Sequence, residues 1–475
     1  MQMLRINICG IRIRFARLAS YSMSKFKLNH HQHQAIVLTV DMGYGHQRAA
    51  YPLKDLAYGK IINAVNYAGI PPADRKIWRQ SREFYEFISR FKNVPILGEA
   101  AFDLYDKLQE IPRFYPRRDL SKSNFEVDKI YDYIEKDKWG KHLMDKLAKK
   151  NGRRPLVATF FVPAFMAEVF DYPGEIYVVV CDADISRAWV PRDPAQSRIN
   201  YFAPCYRVVE RLKLYGVRSE RIFFTGFPLP IENTGGEDLS VLKKDLMCRL
   251  LNLDPDGKYL DKYYDSIRMH LGDIYAQKLP AHPLTITFAV GGAGAQREIG
   301  AVIAGSLKKK ILSKAIRLNL VAGIHNDISV YFRRELRRLG LYERLGKGVN
   351  IIFANNKDDY FRKFNAALRT TDVLWTKPSE LAFYSGLGLP IIMTPPIGSQ
   401  EKFNRIWLKT VGAGITMEDP RFTHEWLFDW INSGWLAEAA MSGFLEAPKY
   451  GLFNIHKVIS KRAGEQKTEE MVSTY

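Results

Sequence analysis

The sequence predicts an α/β protein with two doubly wound parallel sheets, and three observations lead to this fold class. The chain has 475 residues, more than one ordinary hydrophobic core holds, so two domains are expected. Short apolar runs alternate with helix-length segments in both halves of the chain. A glycine-rich turn follows the first strand of each half, and open parallel sheets bind ligands at such turns.

The formal net charge of +19 is the strongest compositional feature. It predicts attraction to nucleic acid, an acidic membrane surface or a phosphorylated substrate. The sequence carries no zinc-finger spacing and no RRM-type aromatic motif, so no nucleic-acid partner is expected. No apolar run approaches the roughly 20 residues that span a bilayer. The cysteines lack metal-ligand or disulfide spacing, which indicates reduced, cytosolic thiols: Cys9, Cys181, Cys205 and Cys248.

Residues 1–34 are basic and contain no acidic residue. This pattern is typical of a transit peptide or a membrane-surface segment. The alternative is an over-long start, with Met23 as the true first residue.

The first strand is predicted over Ala35–Val40, and a helix is predicted over Gln47–Leu56. Between them, Gly43 and Gly45 allow a sharp turn and a close approach of the backbone to a ligand. His46 lies at the mouth of this turn, where an imidazole is placed to accept a proton. The alternative is a purely structural turn.

Residues 59–150 form a predicted insertion in which aromatic and basic residues are interleaved. Within it, a helix near 138–150 carries Trp139, Leu143 and Leu147 on one stripe, with lysines around it. This amphipathic pattern suits a membrane-facing helix. The alternative is an ordinary packed helix with a solvated lysine face.

Two acidic residues and a glycine mark the rest of the first half. Asp182 and Asp184 follow a predicted strand, where a carboxylate can contact a ligand hydroxyl or orient a base; the alternative for Asp184 is a helix cap. Gly226 opens a proline-glycine loop to Pro230 that is expected to cross between domains. The strands predicted here are Leu156–Phe161, Ile176–Cys181, Asn200–Phe202 and Ile222–Thr225.

The second half alternates strands and helices over 231–424, with a charged insertion at 236–283. After its first strand, Gly291, Gly292 and Gly294 allow backbone N–H groups and a helix dipole to face a phosphate. Residues 425–475 are predicted as helices, with a frayed tail from Gly464. The strands predicted in this half are Leu284–Val290, Ile316–Ala322, Val349–Phe353, Asp372–Trp375, Leu389–Met393 and Ala413–Thr416.

Polar residues gather on the loops at both ends of the Trp375–Asn404 stretch, which reads as a βαβ unit. Parallel sheets bind ligands at the edge where these loops meet. The alternative is a surface loop punctuated by glycine and proline. The candidate ligand-binding residues are Lys377, Ser379, Glu380, Gln400, Glu401 and Asn404.

Four sequence blocks, taken in order, resemble the GT-B glycosyltransferases. The similar branch contains monogalactosyldiacylglycerol synthases, processive diacylglycerol glucosyltransferases and the lipid II-forming N-acetylglucosaminyltransferase. The blocks are MGYGHQRAA at 42–50, CDADISRAW at 181–189 continuing to NYFAP at 200–204, RIFFTGFPLP at 221–230, and the 375–414 stretch. The resemblance implies two Rossmann-like domains facing a central cleft, with an acceptor domain over 35–230 and a nucleotide-sugar domain over 231–424.

The resemblance also implies site roles. His46 is the candidate general base and Asp182 its partner in catalysis, with Gly43, Gly45 and Asp184 in the acceptor loop. The donor-binding set is Gly226, Gly291, Gly292, Gly294, Lys377, Ser379, Glu380, Gln400, Glu401 and Asn404. The turn at Lys377–Glu380 is about two residues shorter than the family's, and Ser186 stands where the family has a histidine.

The expected activity is inverting transfer from a UDP-sugar to a lipid or polyprenyl-linked acceptor, without metal or other cofactor. The expected location is cytoplasmic, peripheral on the inner face of an anionic membrane. Two alternatives remain at this point: a nucleotide-sugar epimerase on the same fold, and a non-catalytic membrane-binding relative.

Overall fold

The computed structural model describes residues 34–91, 111–272, 274, 281–289, 294, 296–396 and 399–472. Residues 1–33 of the predicted N-terminal extension over 1–34 lie outside the described residues, as do the donor-loop residues Gly291 and Gly292.

Two parallel sheets, each of six described strands, form the framework. The first sheet has the order β2-β1-β3-β4-β5-β6 and the second has the order β12-β11-β10-β7-β8-β9. The prediction of two doubly wound, Rossmann-like sheets is therefore confirmed. The strands are β1 (Ile36–Thr39), β2 (Ile62–Asn63), β3 (Leu156–Ala158), β4 (Ile176–Val179), β5 (Ile199–Ala203), β6 (Ile222–Phe224), β7 (Leu284–Ala289), β8 (Ile316–Gly323), β9 (Val349–Phe353), β10 (Val373–Thr376), β11 (Ile391–Met393) and β12 (Gly414–Thr416).

Helices cover both faces of each sheet. In the first half they are α1 (Gly45–Ala50), α2 (Pro72–Phe91), α3 (Phe125–Glu135), α4 (Lys141–Asn151), α5 (Phe161–Val169) and α6 (Tyr206–Leu214). In the second half they are α7 (Ile231–Thr234), α8 (Ser240–Leu253), α9 (Lys258–Lys262), α10 (Tyr264–Leu271), α11 (Arg297–Ser306), α12 (Lys308–Leu312), α13 (Asn326–Arg338), α14 (Lys357–Leu368), α15 (Ser399–Thr410), α16 (Thr423–Asn432), α17 (Trp435–Glu446) and α18 (Gly451–Val472). Short 3₁₀ helices lie at Tyr51–Asp55, Arg187–Trp189, Ser219–Arg221, Tyr342–Arg344, Glu380–Leu387 and Pro420–Phe422.

The strands form where apolar runs are buried on both faces. All four residues of β4 are buried, as expected for a central strand covered by helices on each side. The helix predicted over 47–56 is instead split into α1 and a 3₁₀ helix at Tyr51–Asp55. Pro52 lies at the junction, where its missing N–H cannot continue the α-helical hydrogen bonding. The two-residue strand β2 was not predicted because it is too short to show a period.

The apolar stripe of α4 packs into the core of the first half. Trp139, Leu143 and Leu147 are all buried, and the ring of Trp139 contacts that of Trp78 at a centroid distance of 4.6 Å. The stripe is therefore not available to a membrane, and the packed-helix interpretation is the correct one.

The C-terminal helix α18 crosses back onto the first half of the chain. A Cβ atom at Gly451 would lie 2.1 Å from the carbonyl oxygen of Phe227, so this close approach requires glycine. Asn454 fixes the crossing further, because its Nδ2 donates to the carbonyl oxygen of Thr225 at 2.9 Å. The helix continues to Val472, so the prediction of a frayed tail from Gly464 is wrong.

The strand order places one topological switch point in each sheet. In the first sheet it lies between β1 and β3, and in the second between β7 and β10. The connections leave these neighbouring strands in opposite directions, which opens a crevice at their carboxyl ends. The two crevices face each other across the cleft between the sheets, because the loop at Gly45 contacts Glu380, which follows β10. The domain limits at 230/231 and 424/425 stay predictions.

Candidate active site in the interdomain cleft

His46 lies across the switch point of the first sheet. It is the second residue of α1, and its Nδ1 lies 2.8 Å from the carbonyl oxygen of Thr159, directly beyond β3. A carbonyl oxygen only accepts, so Nδ1 carries the proton in this hydrogen bond. The other ring nitrogen, Nε2, therefore keeps a lone pair that can accept a proton.

The surroundings of His46 hold the imidazole in its neutral form. Its ring contacts Phe160 at a centroid distance of 4.7 Å and Trp189 at 6.1 Å. Burial lowers the pKa of His46 to about 4, although the Thr159 carbonyl and the charge of Glu380 act in the opposite direction. At neutral pH the ring is unprotonated, as a general base must be before it acts.

Asp182 lies beyond β4 and contacts the opposite domain directly. The Nδ2 of Asn404 donates to Oδ1 of Asp182 at 3.0 Å. The Oδ1 of Asn404 accepts from the backbone N–H of Ala183 at 2.7 Å. Asn404 is fully buried, so one amide from α15 holds the loop after β4 through two hydrogen bonds. Sequence analysis assigned Asp182 and Asn404 to separate functions, and the structure brings them together.

Burial also shifts the protonation of Asp182. It raises the pKa of this carboxyl to about 6, opposed by the Asn404 hydrogen bond and reinforced by the nearby charges of Glu380 and Glu401. A carboxyl with this pKa changes charge close to physiological pH. Such shifts are concentrated at functional sites, although structural clusters produce them as well.

The other donor-side residues line the second sheet's crevice. Lys377 forms an ion pair with Glu401, and both side chains are mostly buried. Ser379 occupies the N-cap position of the 3₁₀ helix that begins at Glu380, without a side-chain capping hydrogen bond, and Gln400 lies in the first turn of α15. Gly294 has a φ of +71°, and a Cβ there would lie 2.6 Å from the side chain of Ile328.

Gln296 ties two loops of this crevice together and was not predicted. Its Nε2 donates to the carbonyl oxygen of Pro395 at 3.1 Å, and its Oε1 accepts from the hydroxyl of Thr394 at 2.6 Å. The loop after β7 is thereby joined to the loop after β11. The sequence placed Gln296 at the end of the glycine run but gave no sign of the distant Thr394.

Arg48 is the main site residue that sequence reasoning missed. Its Nε lies 3.1 Å from Oε1 of Glu380, and its Nη2 donates to the hydroxyl of Tyr360 at 2.9 Å. The side chains of Arg48 and Glu380 are only 2% and 12% exposed. Glu380, predicted to bind the donor, is thus paired with the helix that carries His46. The sequence signal that could have identified Arg48 is its position as a single arginine before the two small, apolar residues that end α1.

Aromatic rings surround the Arg48 guanidinium. Its central carbon lies 4.6 Å from the ring centroid of Phe364, 5.1 Å from that of Phe361 and 5.6 Å from that of Tyr360. Cation–π contacts of this kind strengthen when water is excluded. We refer to Phe361, Phe364, Tyr360 and Tyr384 as the aromatic box.

Tyr44 adds a further contact between the domains. Its hydroxyl accepts from the backbone N–H of Ile324 at 3.0 Å, and its ring contacts Tyr360 at 5.0 Å. A Cβ at Gly323 would lie 2.4 Å from the Tyr44 hydroxyl, so only glycine leaves room for it. The loop that carries Gly43 and Gly45 therefore packs against the second domain.

Two predicted site residues have structural surroundings instead. Asp184 is fully buried, and its carboxylate accepts from Arg207 at 2.8 Å and from Arg211 at 2.7 Å. It therefore has no free oxygen edge for an acceptor. Gly226 has a φ of +88°, and a Cβ there would lie 2.8 Å from Pro448, so it permits packing of the C-terminal segment rather than donor contact.

Three observations concern metal binding, membrane-spanning helices and the cysteines. Within the described ranges, no group of three or more His, Cys, Asp or Glu side chains is placed to hold a metal ion. None of the described helices combines the length and apolarity needed to span a bilayer. Among the described residues, Cys181, Cys205 and Cys248 are free thiols.

No protein-family model matches the chain. A processive diacylglycerol β-glucosyltransferase from Bacillus licheniformis is 22% identical over 367 residues, which cover 72% of this chain and 79% of that protein. That relative is named for one of the groups that the four sequence blocks resemble, so the predicted resemblance is confirmed.

Solved structures with a similar fold include a UDP-GlcNAc 2-epimerase from Neisseria meningitidis bound to UDP-GlcNAc. It is 11% identical, with a TM-score of 0.46, over 91% of this chain and 100% of that one. A glycosyltransferase from Rickettsia africae is 10% identical, with a TM-score of 0.39, over 90% of this chain and 97% of that one. Similarity at this level is no guide to activity.

Replacing Asp182 by asparagine should stabilise the protein in a pH-dependent way. Asp182→Asn keeps an oxygen for Asn404 and removes the charge. Because the folded pKa of about 6 exceeds the usual 3.8, the stability due to bound protons is complete below pH 3.8 and lost as pH rises through 6. The variant should therefore exceed the wild type by up to about 2–3 kcal/mol above pH 7. Melting temperatures from pH 4 to 8 test this, and a gap independent of pH would contradict it.

Removing the charge of Arg48 should destabilise the protein more than removing an exposed interdomain charge. Arg48→Met leaves Glu380 buried without its cation, at a cost of about 3 kcal/mol. The double variant with Glu380→Gln should recover much of this loss, because no unpaired charge remains. Lys357→Met is the matched control, since its partner Asp41 is more exposed, and should cost under about 1 kcal/mol.

Denaturant unfolding of the four proteins measures these effects. A double variant no more stable than Arg48→Met would show that the charge pairing is not what holds the contact.

Proposed function

We propose that this protein is an inverting glycosyltransferase that moves a sugar from a UDP-sugar to a lipid or polyprenyl-linked acceptor at a membrane surface. The observation that carries the proposal is the state of His46, whose Nδ1 is committed to Thr159 and whose Nε2 keeps its lone pair at the first sheet's switch point. The similarity to a diacylglycerol glucosyltransferase supports both the reaction and the acceptor class.

The proposed reaction is a single displacement. The acceptor hydroxyl oxygen bonds to the anomeric carbon while the bond between that carbon and the diphosphate oxygen breaks. The hydroxyl proton moves to Nε2 of His46, and the nucleotide diphosphate leaves with the bonding electron pair. Attack from the face opposite the leaving group inverts the anomeric centre. Holding both substrates in one cleft supplies much of the rate.

The pKa of His46 sets a requirement on this mechanism. A base with a pKa near 4 is correctly unprotonated at neutral pH but has little driving force to take a proton. A bound diphosphate adds negative charge to the same cleft, and negative charge raises the pKa of a neighbouring imidazole. The donor thus strengthens the base when it binds, so proton transfer is coupled to donor occupancy.

Asp182 and the donor-side residues would position the substrates. In this proposal Asp182, held by Asn404, orients the acceptor hydroxyl toward His46. Lys377 and the N-terminus of α11 would balance the charge of the departing diphosphate. Glu380 can meet a donor hydroxyl only with the oxygen that Arg48 does not engage.

An exposed aromatic surface supports action at a membrane. Tyr206 and Tyr115 are 70% and 67% exposed, and the ring of Tyr206 contacts exposed Phe224 at 4.2 Å. Tyr206 and Phe224 lie at the carboxyl ends of β5 and β6, the edge of the first sheet that faces the cleft. We call Tyr206 and Phe224 the aromatic patch.

Basic residues adjoin the aromatic patch. Phe114 packs beneath the guanidinium of Arg207 at 3.8 Å; the charge of Arg207 is itself paired with Asp184, and the exposed basic residues nearby in the chain are Arg117 and Arg118. Aromatic side chains favour the interfacial zone of a bilayer, and each basic residue near an anionic surface adds roughly 1 kcal/mol of attraction. The patch therefore fits an anionic membrane, and it takes the place that sequence analysis gave to the helix at 138–150.

The role of His46 can be tested with one variant and a matched control. His46→Ala should lower kcat by about 10²–10⁴-fold, because the general base is lost, while UDP affinity changes little. His424→Ala removes an exposed histidine far from the cleft and should leave kcat unchanged. The assay uses UDP-glucose, UDP-galactose or UDP-GlcNAc with diacylglycerol in phosphatidylglycerol vesicles.

Reactions with UDP-sugar alone separate the alternatives. Interconversion of the sugars without lipid would establish an epimerase and overturn the transferase proposal. Undiminished turnover of His46→Ala would instead rule out only the base.

The aromatic patch should govern vesicle binding. The double variant Tyr206→Ser/Phe224→Ser should bind phosphatidylglycerol vesicles about tenfold more weakly, since it removes the apolar surface that enters the interface. The control double variant Tyr264→Ser/Phe422→Ser removes exposed aromatic rings from the second half of the chain and should bind like the wild type. Co-sedimentation measures both, and equal losses would contradict the assignment.

A further inference from the structure

A groove of about 640 Å³ opens in the first half of the chain, away from the cleft. It is lined by residues at the beginning of β1 and β2, by Tyr67 and Ala68 after β2, and by the last turns of α4. The lining residues of β1 and β2 lie at the amino ends of these strands, whereas His46 lies beyond the carboxyl end of β1. The groove and the proposed active site are therefore on opposite edges of the first sheet.

The groove combines an apolar floor with an unbalanced positive charge. Ile36 and Leu147 belong to the buried floor, while Lys60, Lys146 and Lys150 line its sides. We call this site the lysine groove. Its described lining contains no acidic side chain.

The lysines lack counterions in the described part of the chain. Lys146 donates to the carbonyl oxygen of Ala68 at 2.6 Å, and neither Lys60 nor Lys150 forms an ion pair there. Three ammonium groups around one concave surface repel each other, although all three lysines are exposed and water screens this repulsion. An anion in the groove would relieve it.

Asn151 offers a polar side chain to the groove. It is the last residue of α4, is 3% exposed and lines the groove, yet its side-chain amide makes no hydrogen bond to any described residue. The amide atoms are not among the fully buried unpaired groups, so they contact solvent in the groove, and a ligand that displaces this solvent must replace its hydrogen bonds. The amide can both donate and accept, so it suits a ligand that carries a hydroxyl or carbonyl next to its anionic group.

We propose that the lysine groove binds a small phosphate ester. The phosphate lies between Lys60 and Lys150, the organic part covers the apolar floor, and a polar group of the ligand bonds to Asn151. The basic N-terminal residues 1–33 have the wrong charge to fill the groove. The same chemistry is offered by a soluble phosphate ester and by a phospholipid headgroup, and the site stands whether or not the protein is a glycosyltransferase.

The test compares two sources of the phosphate ester on the full-length chain. Calorimetry measures sn-glycerol 3-phosphate, and flotation measures vesicles of phosphatidic acid in phosphatidylcholine against phosphatidylcholine alone. Lys60→Met/Lys150→Met should weaken binding at least about tenfold, because two charge-assisted hydrogen bonds are lost. Lys76→Met/Lys149→Met removes the same charge from α2 and α4 outside the groove and should change binding less than about twofold.

Loss of glycerol 3-phosphate binding in the groove variant alone supports a soluble ligand. Loss of phosphatidic-acid vesicle binding in that variant alone supports a lipid headgroup. Asn151→Asp, which keeps the size and adds a negative charge, should weaken the same binding by about tenfold. No binding to either probe, or equal loss in both lysine variants, would overturn the proposal.

Discussion

The buried contact between Arg48 and Glu380 is the interaction on which the arrangement of the cleft depends. Removing two charges from water is costly, and their attraction offsets that cost only when the geometry is good and other groups help. The aromatic box and the Tyr360 hydroxyl provide that help, but only when the two domains are in contact. Replacing such a pair by apolar residues is often neutral in stability, so its expected contribution is to specify this arrangement of the two domains.

The burial of side chains between the two domains also explains the protonation states in the cleft. Burial shifts both His46 and Asp182 toward their neutral forms, so the cleft is poor in charge apart from its paired ions. A diphosphate donor would reverse this balance by bringing negative charge to the side where Lys377 is paired with Glu401. In the proposed reaction, donor binding and proton transfer would thereby be linked through electrostatics.

The two surfaces proposed to bind other molecules lie on opposite edges of the first sheet. The aromatic patch lies at the cleft edge of the first sheet, and the lysine groove lies at the opposite edge. The chain therefore presents basic residues at two surfaces, the surroundings of the aromatic patch and the lysine groove, and these surfaces differ in chemistry. One offers apolar rings beside arginines, and the other offers lysines above an enclosed floor.

The sequence by itself determined the two doubly wound sheets, the glycine turn before His46 and the position of Asp182 beyond a strand. These features follow from local periodicity and from backbone requirements that act within a few residues. The sequence also contains four blocks that resemble a known family, and they occur in the same order as in that family. It could not separate a packed amphipathic helix from a membrane-facing one at 138–150, because both have the same stripe.

Only the tertiary structure decided which of these residues act together. Asn404 meets Asp182 across 222 positions and Arg48 meets Glu380 across 332, separations at which no local pattern reports contact. The structure likewise showed that Asp184 is occupied by two arginines, since a carboxylate reads the same in sequence whether it is paired or free. Polar pairing inside a cleft depends on how the two sheets pack, and that packing is a property of the whole chain.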